Sequence, residues 1–108
     1  MMKIRRWLNT QIAWLKAWRA LEDLKDYSAV GADITELVGE GTFQTFQVRV
    51  KEAATLYESG DLPGTATALL TAWKIFRQLK QTQQRQIVEQ LARAKHLQHH
   101  MQVAELCQ

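Results

Sequence analysis

His96, His99 and His100 are the only closely spaced side chains in this 108-residue chain with metal-ligand chemistry. His96 and His100 stand four residues apart, so a helix puts both on one face, a spacing that can hold zinc. Cys107 lies seven residues beyond His100 and falls near that face. No carboxylate at matching spacing completes the ligand set, and terminal residues fray. The three histidines therefore read as a solvated helix face. No metal and no cofactor are expected, and a metal here would fit better between two chains than within one.

Other chemistry finds less support. No serine stands in the glycine-flanked turn of a nucleophile elbow, and Cys107 is the only cysteine. Glu22, Asp23 and Asp26 follow helical spacing and read as a solvated face. None of the carboxylates lies in an apolar run that would bury it and raise its pKa for acid–base work. No glycine-rich loop with a lysine is present to cradle phosphate. An enzyme is not expected.

The strongest binding signal is "IRRWLNTQIAWLKAWRAL", residues 4–21. It holds three of the four tryptophans, Trp7, Trp14 and Trp18, with Arg5, Arg6, Lys16 and Arg19 and no acid. At about 100° per residue the three tryptophans lie within roughly 40° of one line. Ile4, Trp7, Leu8, Ile12, Trp14, Leu15, Trp18 and Leu21 together fill about half of the circumference. Such a helix suits a bundle core, a partner interface (a homodimer included) or a membrane surface. Three arguments favour the bundle. The chain needs an aromatic core, the tryptophan line makes a good seam for another helix, and the acids from Glu22 onward sit badly on an anionic bilayer. If a partner docks here, Trp7, Trp14, Trp18, Arg5, Arg6 and Lys16 are the residues expected to meet it.

Charge is unevenly distributed. Residues 1–19 carry five basic groups and no acid, residues 20–61 nine acids against three bases, and residues 62–108 six bases against two acids. A folded chain can bring the basic ends against the acidic middle, or one basic face can meet an acidic partner. The pI near 9.2 allows nucleic acid. Against it, bases only slightly outnumber acids, no helix carries a dense basic stripe, and no helix-turn-helix pattern is evident. The lone cysteine suits a reducing, cytoplasmic compartment. No run of about 18 apolar residues could span a membrane. The basic start does not read as a signal peptide, because Asn9, Thr10 and Gln11 interrupt its apolar part.

The elements that must position these residues are helical. Glycine and proline cluster in two places only, Gly31 to Gly41 and Gly60 to Gly64. Helices are expected over about 3–27, 34–38, 43–59, from Pro63 to about 79, and 83–105. Asp33 would cap the short second helix with Glu36, and Thr42 the third. The alternating "FQVRV" at 46–50 runs into "KEAATLY" and is read as helix. The third helix presents Phe43, Phe46, Val50, Ala53, Ala54 and Tyr57. The fourth presents Ala66, Leu69, Leu70, Trp73, Phe76 and Leu79, with Tyr57 and Trp73 expected to bury against each other's helices. The fifth presents Ile87, Leu91, Ala94, Leu97, Met101 and Ala104. A break is expected near Gln81–Thr82. The glutamines from Gln78 onward fill exposed helical positions.

Residues 49–79 resemble a single tetratricopeptide-repeat hairpin. Ala53, Leu56 and Tyr57 precede the turn Gly60-Asp61-Leu62, and Ala72 stands where the second helix of that family carries its late alanine. Arg49, Glu52, Thr65 and Arg77 depart from the pattern, and no second copy follows at a spacing of about 34 residues. The resemblance implies a protein-binding module.

The sequence thus predicts one all-α domain over residues 1–108, a compact bundle of four or five helices with a central antiparallel hairpin. The expected function is a non-enzymatic protein-interaction module: an adaptor, assembly factor or inhibitor of a partner protein. The alternatives are a peripheral membrane protein using helix 3–27 and a nucleic-acid-binding accessory factor.

Overall fold

The computed structural model of the chain describes residues 2–106, and all side chains among them except those of residues 2, 3, 100 and 103–105. The described residues form four helices: α1 (Met2–Ala32), α2 (Gly41–Glu58), α3 (Leu62–Gln78) and α4 (Gln81–Leu106). The all-α class follows, and "FQVRV" is helical within α2. No helix among the described residues is long and apolar enough to cross a membrane.

α1 runs five residues beyond its expected end because nothing in 3–30 breaks it. Its last turn ends at a tight packing point. Gly31 is buried, and a Cβ there would run into Cζ and Cε2 of Phe43. The expected short helix at 34–38 is instead a set of turns. Ile34 N donates to Gly31 O at 3.1 Å, Leu37 N to Ile34 O at 3.0 Å, and Glu40 N to Leu37 O at 3.1 Å. Burial explains the path, since Ile34 and Leu37 are 3% and 0% exposed. Gly39, at φ +84°, then reverses the chain in a conformation that glycine adopts without strain. The cap of α2 is Glu40 rather than Thr42: its Oε2 accepts from Phe43 N at 3.0 Å.

α2 and α3 share the largest helix–helix contact. The Ser59–Asp61 link closes α2 with a Schellman motif. Gly60 takes φ +83°, its N–H donates to Tyr57 O at 3.1 Å, and Asp61 N donates to Leu56 O at 3.0 Å. Asp61 then caps α3, accepting from Gly64 N at 2.9 Å, with Pro63 in the first turn where its missing N–H costs nothing.

The buried face of α3 is rotated from the expected one. Thr65, Ala68, Leu69, Ala72 and Phe76 are buried, whereas Leu70 is 56% exposed. The small residues Thr65, Ala68 and Ala72 form this face, and apolar periodicity alone underweights them. Tyr57 and Trp73, expected to bury against each other's helices, are half-buried, and their ring contacts run to α1 and to Phe76. Tyr57 meets Trp14 of α1 edge-on at 5.1 Å, and Trp73 stacks on Tyr27 of α1 at 6.4 Å and on Phe76 at 5.5 Å. Phe76 also meets Tyr27 at 5.1 Å and Phe46 at 5.5 Å, which makes it the hub of the core.

α3 ends at Gln78 with Leu79 as its C-cap, so the break at Leu79–Lys80 falls just before the expected one at Gln81–Thr82. Leu79 turns into the core at 5% exposure. Two glutamines cap the junction: Gln84 Nε2 donates to Leu79 O at 2.8 Å, and Lys80 N donates to Gln83 Oε1 at 3.2 Å. α4 then buries Ile87 fully and has no other buried residue among those described.

The radius of gyration is 16.8 Å and the extents are 50 × 45 × 22 Å. A compact domain of this length has a radius of about 13 Å. The bundle is less compact than expected because two segments project from the core. α1 has no buried residue among those described before Ala17, and α4 has none after Ile87.

Candidate functional site

α1 carries two apolar faces, and only one enters the core. Ala17, Leu21 and Leu24 are buried at 9%, 4% and 4% exposure. Ile4, Leu8, Leu15 and Trp18 lie roughly 140° around the helix from them. They remain open, as do Trp7 and Ile12, at exposures from 45% to 63%. The bundle-core reading of the residue 4–21 stripe therefore holds for Leu21 and in part for Trp14, and is corrected for Ile4, Trp7, Leu8, Ile12, Leu15 and Trp18. The sequence reading merged both faces into one half-circumference. The structure packs the narrower side, that of Ala17, Leu21 and Leu24.

The residues singled out in the sequence fall on both borders of the open face. Trp7, Trp14 and Trp18 lie along one edge. Trp18 is 46% exposed and Trp7 61%, while Trp14 is half-buried on Tyr57. Arg5, Lys16 and Arg19, all exposed, follow the other edge, and Arg6 is exposed toward the opposite side of the helix.

A second surface was not foreseen. The small-residue side of α1 and the outer side of α3 enclose an open groove of about 760 Å³. Ala13, Ala17, Ala20, Leu24 and Tyr27 line it from α1, and Leu62, Pro63, Ala66, Leu69, Leu70 and Trp73 from α3. Lys16 and Asp23 are its only charged residues, both on the α1 rim. Arg77 stands at its Trp73 end, with the guanidinium carbon 5.1 Å from the indole centroid. The sequence signal for the α1 wall was alanine at 13, 17 and 20 ahead of Leu24. That spacing keeps one face of the helix low, and it went unread beside the larger side chains.

His96 and His99 lie on the exposed part of α4, and Lys95 Nζ reaches Asp26 Oδ2 at 3.8 Å. The side chain of His100 and all of Cys107 lie outside the described residues. Among those described, no three His, Cys, Asp or Glu side chains come together as a metal site would require. Glu22 binds Lys25 at 3.3 Å rather than joining Asp23 or Asp26 in a carboxylate pair.

No protein-family model, curated protein or solved structure matches this chain.

Proposed function

We propose that this chain is a non-enzymatic protein-interaction module that takes an apolar helix of a partner protein into the α1–α3 groove. The groove itself carries the reading. Its volume, about 760 Å³, falls within the range of about 300–1,000 Å³ typical of binding pockets. Its walls combine a low alanine floor with Leu69, Leu70, Tyr27 and Trp73, the arrangement an amphipathic helix needs for close approach and anchoring. An antiparallel α2–α3 hairpin forms the scaffold, with the fully buried Ala53 and Ala72 in place of bulk. The resemblance of residues 49–79 to a tetratricopeptide hairpin supports the same class of function. Adaptor, assembly factor and inhibitor are all uses of such a module.

Groove variants test the proposal in extract from the native cell. Ala20 and Ala66 are exposed in the groove wall, so Ala20→Arg and Ala66→Arg charge it without disturbing the core. Each should lose the protein retained by the unmodified chain. Thr45→Arg, on an exposed position of α2, should keep it. Equal retention by all three variants would contradict the groove as the binding site.

A further inference from the structure

We infer that residues 4–19 of α1 form a docking surface for an anionic lipid bilayer, separate from the α1–α3 groove. Ile4, Trp7, Leu8, Ile12, Leu15 and Trp18 are 45% to 63% exposed on one helix face. With a large aliphatic or aromatic side chain presenting about 150–250 Å², these exposures leave a patch on the order of 700 Å². The largest apolar patch on a typical monomer is about 300–600 Å². An exposed face of this size needs an occupant.

Three observations select the bilayer. The first is width. From Trp14 to Ile12 the mainly apolar arc, interrupted by Gln11 and edged by Arg19, covers roughly 160° of the helix, broader than the narrow seam that fits a single partner helix. The second is charge. Residues 2–19 contain five bases and no acid, and Arg5, Lys16 and Arg19 border the apolar arc. A second copy docked on this face would oppose like charges, whereas anionic headgroups complement them. The third is the placement of the tryptophans. Trp7, Trp14 and Trp18 lie along the opposite border, where indole rings settle at headgroup level.

The acids that follow this segment do not forbid the contact. Glu22 is paired with Lys25 at 3.3 Å and Asp26 with Lys95 at 3.8 Å, so each carries a neighbouring cation, while the exposed Asp23 lies beyond the 4–19 segment on the groove rim. Because the groove uses the Ala13, Ala17 and Ala20 side of α1, a bilayer on the other side leaves it open. The segment from 4 to 19 is about 24 Å long, enough to lie in the interface and too short to cross it.

Full-length chain is mixed with vesicles of phosphatidylcholine alone or with about one third phosphatidylserine, then sedimented. The chain should pellet with the anionic vesicles, far less with the neutral ones, and less as salt rises. Its tryptophan emission should shift to the blue only with anionic vesicles. Leu8→Glu/Leu15→Glu should stay in the supernatant with an unchanged circular-dichroism spectrum, since both positions are exposed. Arg5→Gln and Arg19→Gln should each weaken binding about five-fold. Failure to pellet, equal pelleting with neutral vesicles, or equal pelleting of the Leu8→Glu/Leu15→Glu variant would each overturn the proposal. So would tryptophans already shielded from iodide in buffer in a concentration-dependent way, because a second copy would then cover the face.

Discussion

Gly31→Ala sets two forces against each other, and the structure decides the sign. Replacing glycine with alanine inside a helix gains about 0.8–1.0 kcal/mol of propensity, and less near an end. Gly31 is the second-to-last residue of α1, so the gain is at the low end. Against it stands Phe43, whose ring edge occupies the space a Cβ would take. That ring is 1% exposed and has Phe46 behind it at 5.9 Å, so it cannot swing away freely. Overpacking of a closed core costs about 1–3 kcal/mol. The net expectation is a loss of about 1–2 kcal/mol, a fall in Tm of roughly 4–9 °C for a domain of this size. Urea unfolding followed by far-ultraviolet circular dichroism measures it. Phe43→Leu should remove the clash, so the double variant should be more stable than the two single losses predict by about 1 kcal/mol. An unchanged or raised midpoint for Gly31→Ala would refute the packing of α1 against α2.

Phe76→Ala should cost about 3–5 kcal/mol and more than Trp73→Ala, because Phe76 is 3% exposed at the centre of the ring cluster and Trp73 only half-buried; thermal unfolding of both variants ranks them. Thr65→Val should cost about 1 kcal/mol in a urea titration, since the fully buried hydroxyl donates to Asp61 O at 2.6 Å. Gln84→Ala should cost about 1 kcal/mol and speed amide exchange across Leu79–Gln83, because Gln84 satisfies the last carbonyls of α3, Arg77 O at 3.1 Å and Leu79 O at 2.8 Å.

Helical periodicity and the two glycine clusters made the helical class and most element boundaries legible. The stripe of α2 was read correctly down to Phe43, Phe46, Val50 and Ala53. Two kinds of information were not legible. Capping by long side chains was one: Glu40, Gln83 and Gln84 look like ordinary exposed residues until the chain reversals bring them to a helix end. Faces made of small residues were the other. Thr65, Ala68 and Ala72 in α3, and Ala13, Ala17 and Ala20 in α1, add little to an apolar count, yet the first three are buried in the core and the last three line the groove. The stacking of Trp73 on Tyr27 of α1 was likewise not legible. Reading only large side chains also hid the groove and favoured the core over the interface and membrane readings of the α1 stripe.

Photo-crosslinking in the native cell tests the groove most directly. A benzophenone side chain at Ala66 lies inside it, and one at Thr45 lies on the far exposed side of α2. One discrete protein adduct is expected from Ala66, lost when Ala20→Arg is added, and none from Thr45. No adduct from Ala66, or the same adducts from both positions, would contradict the groove as the binding site.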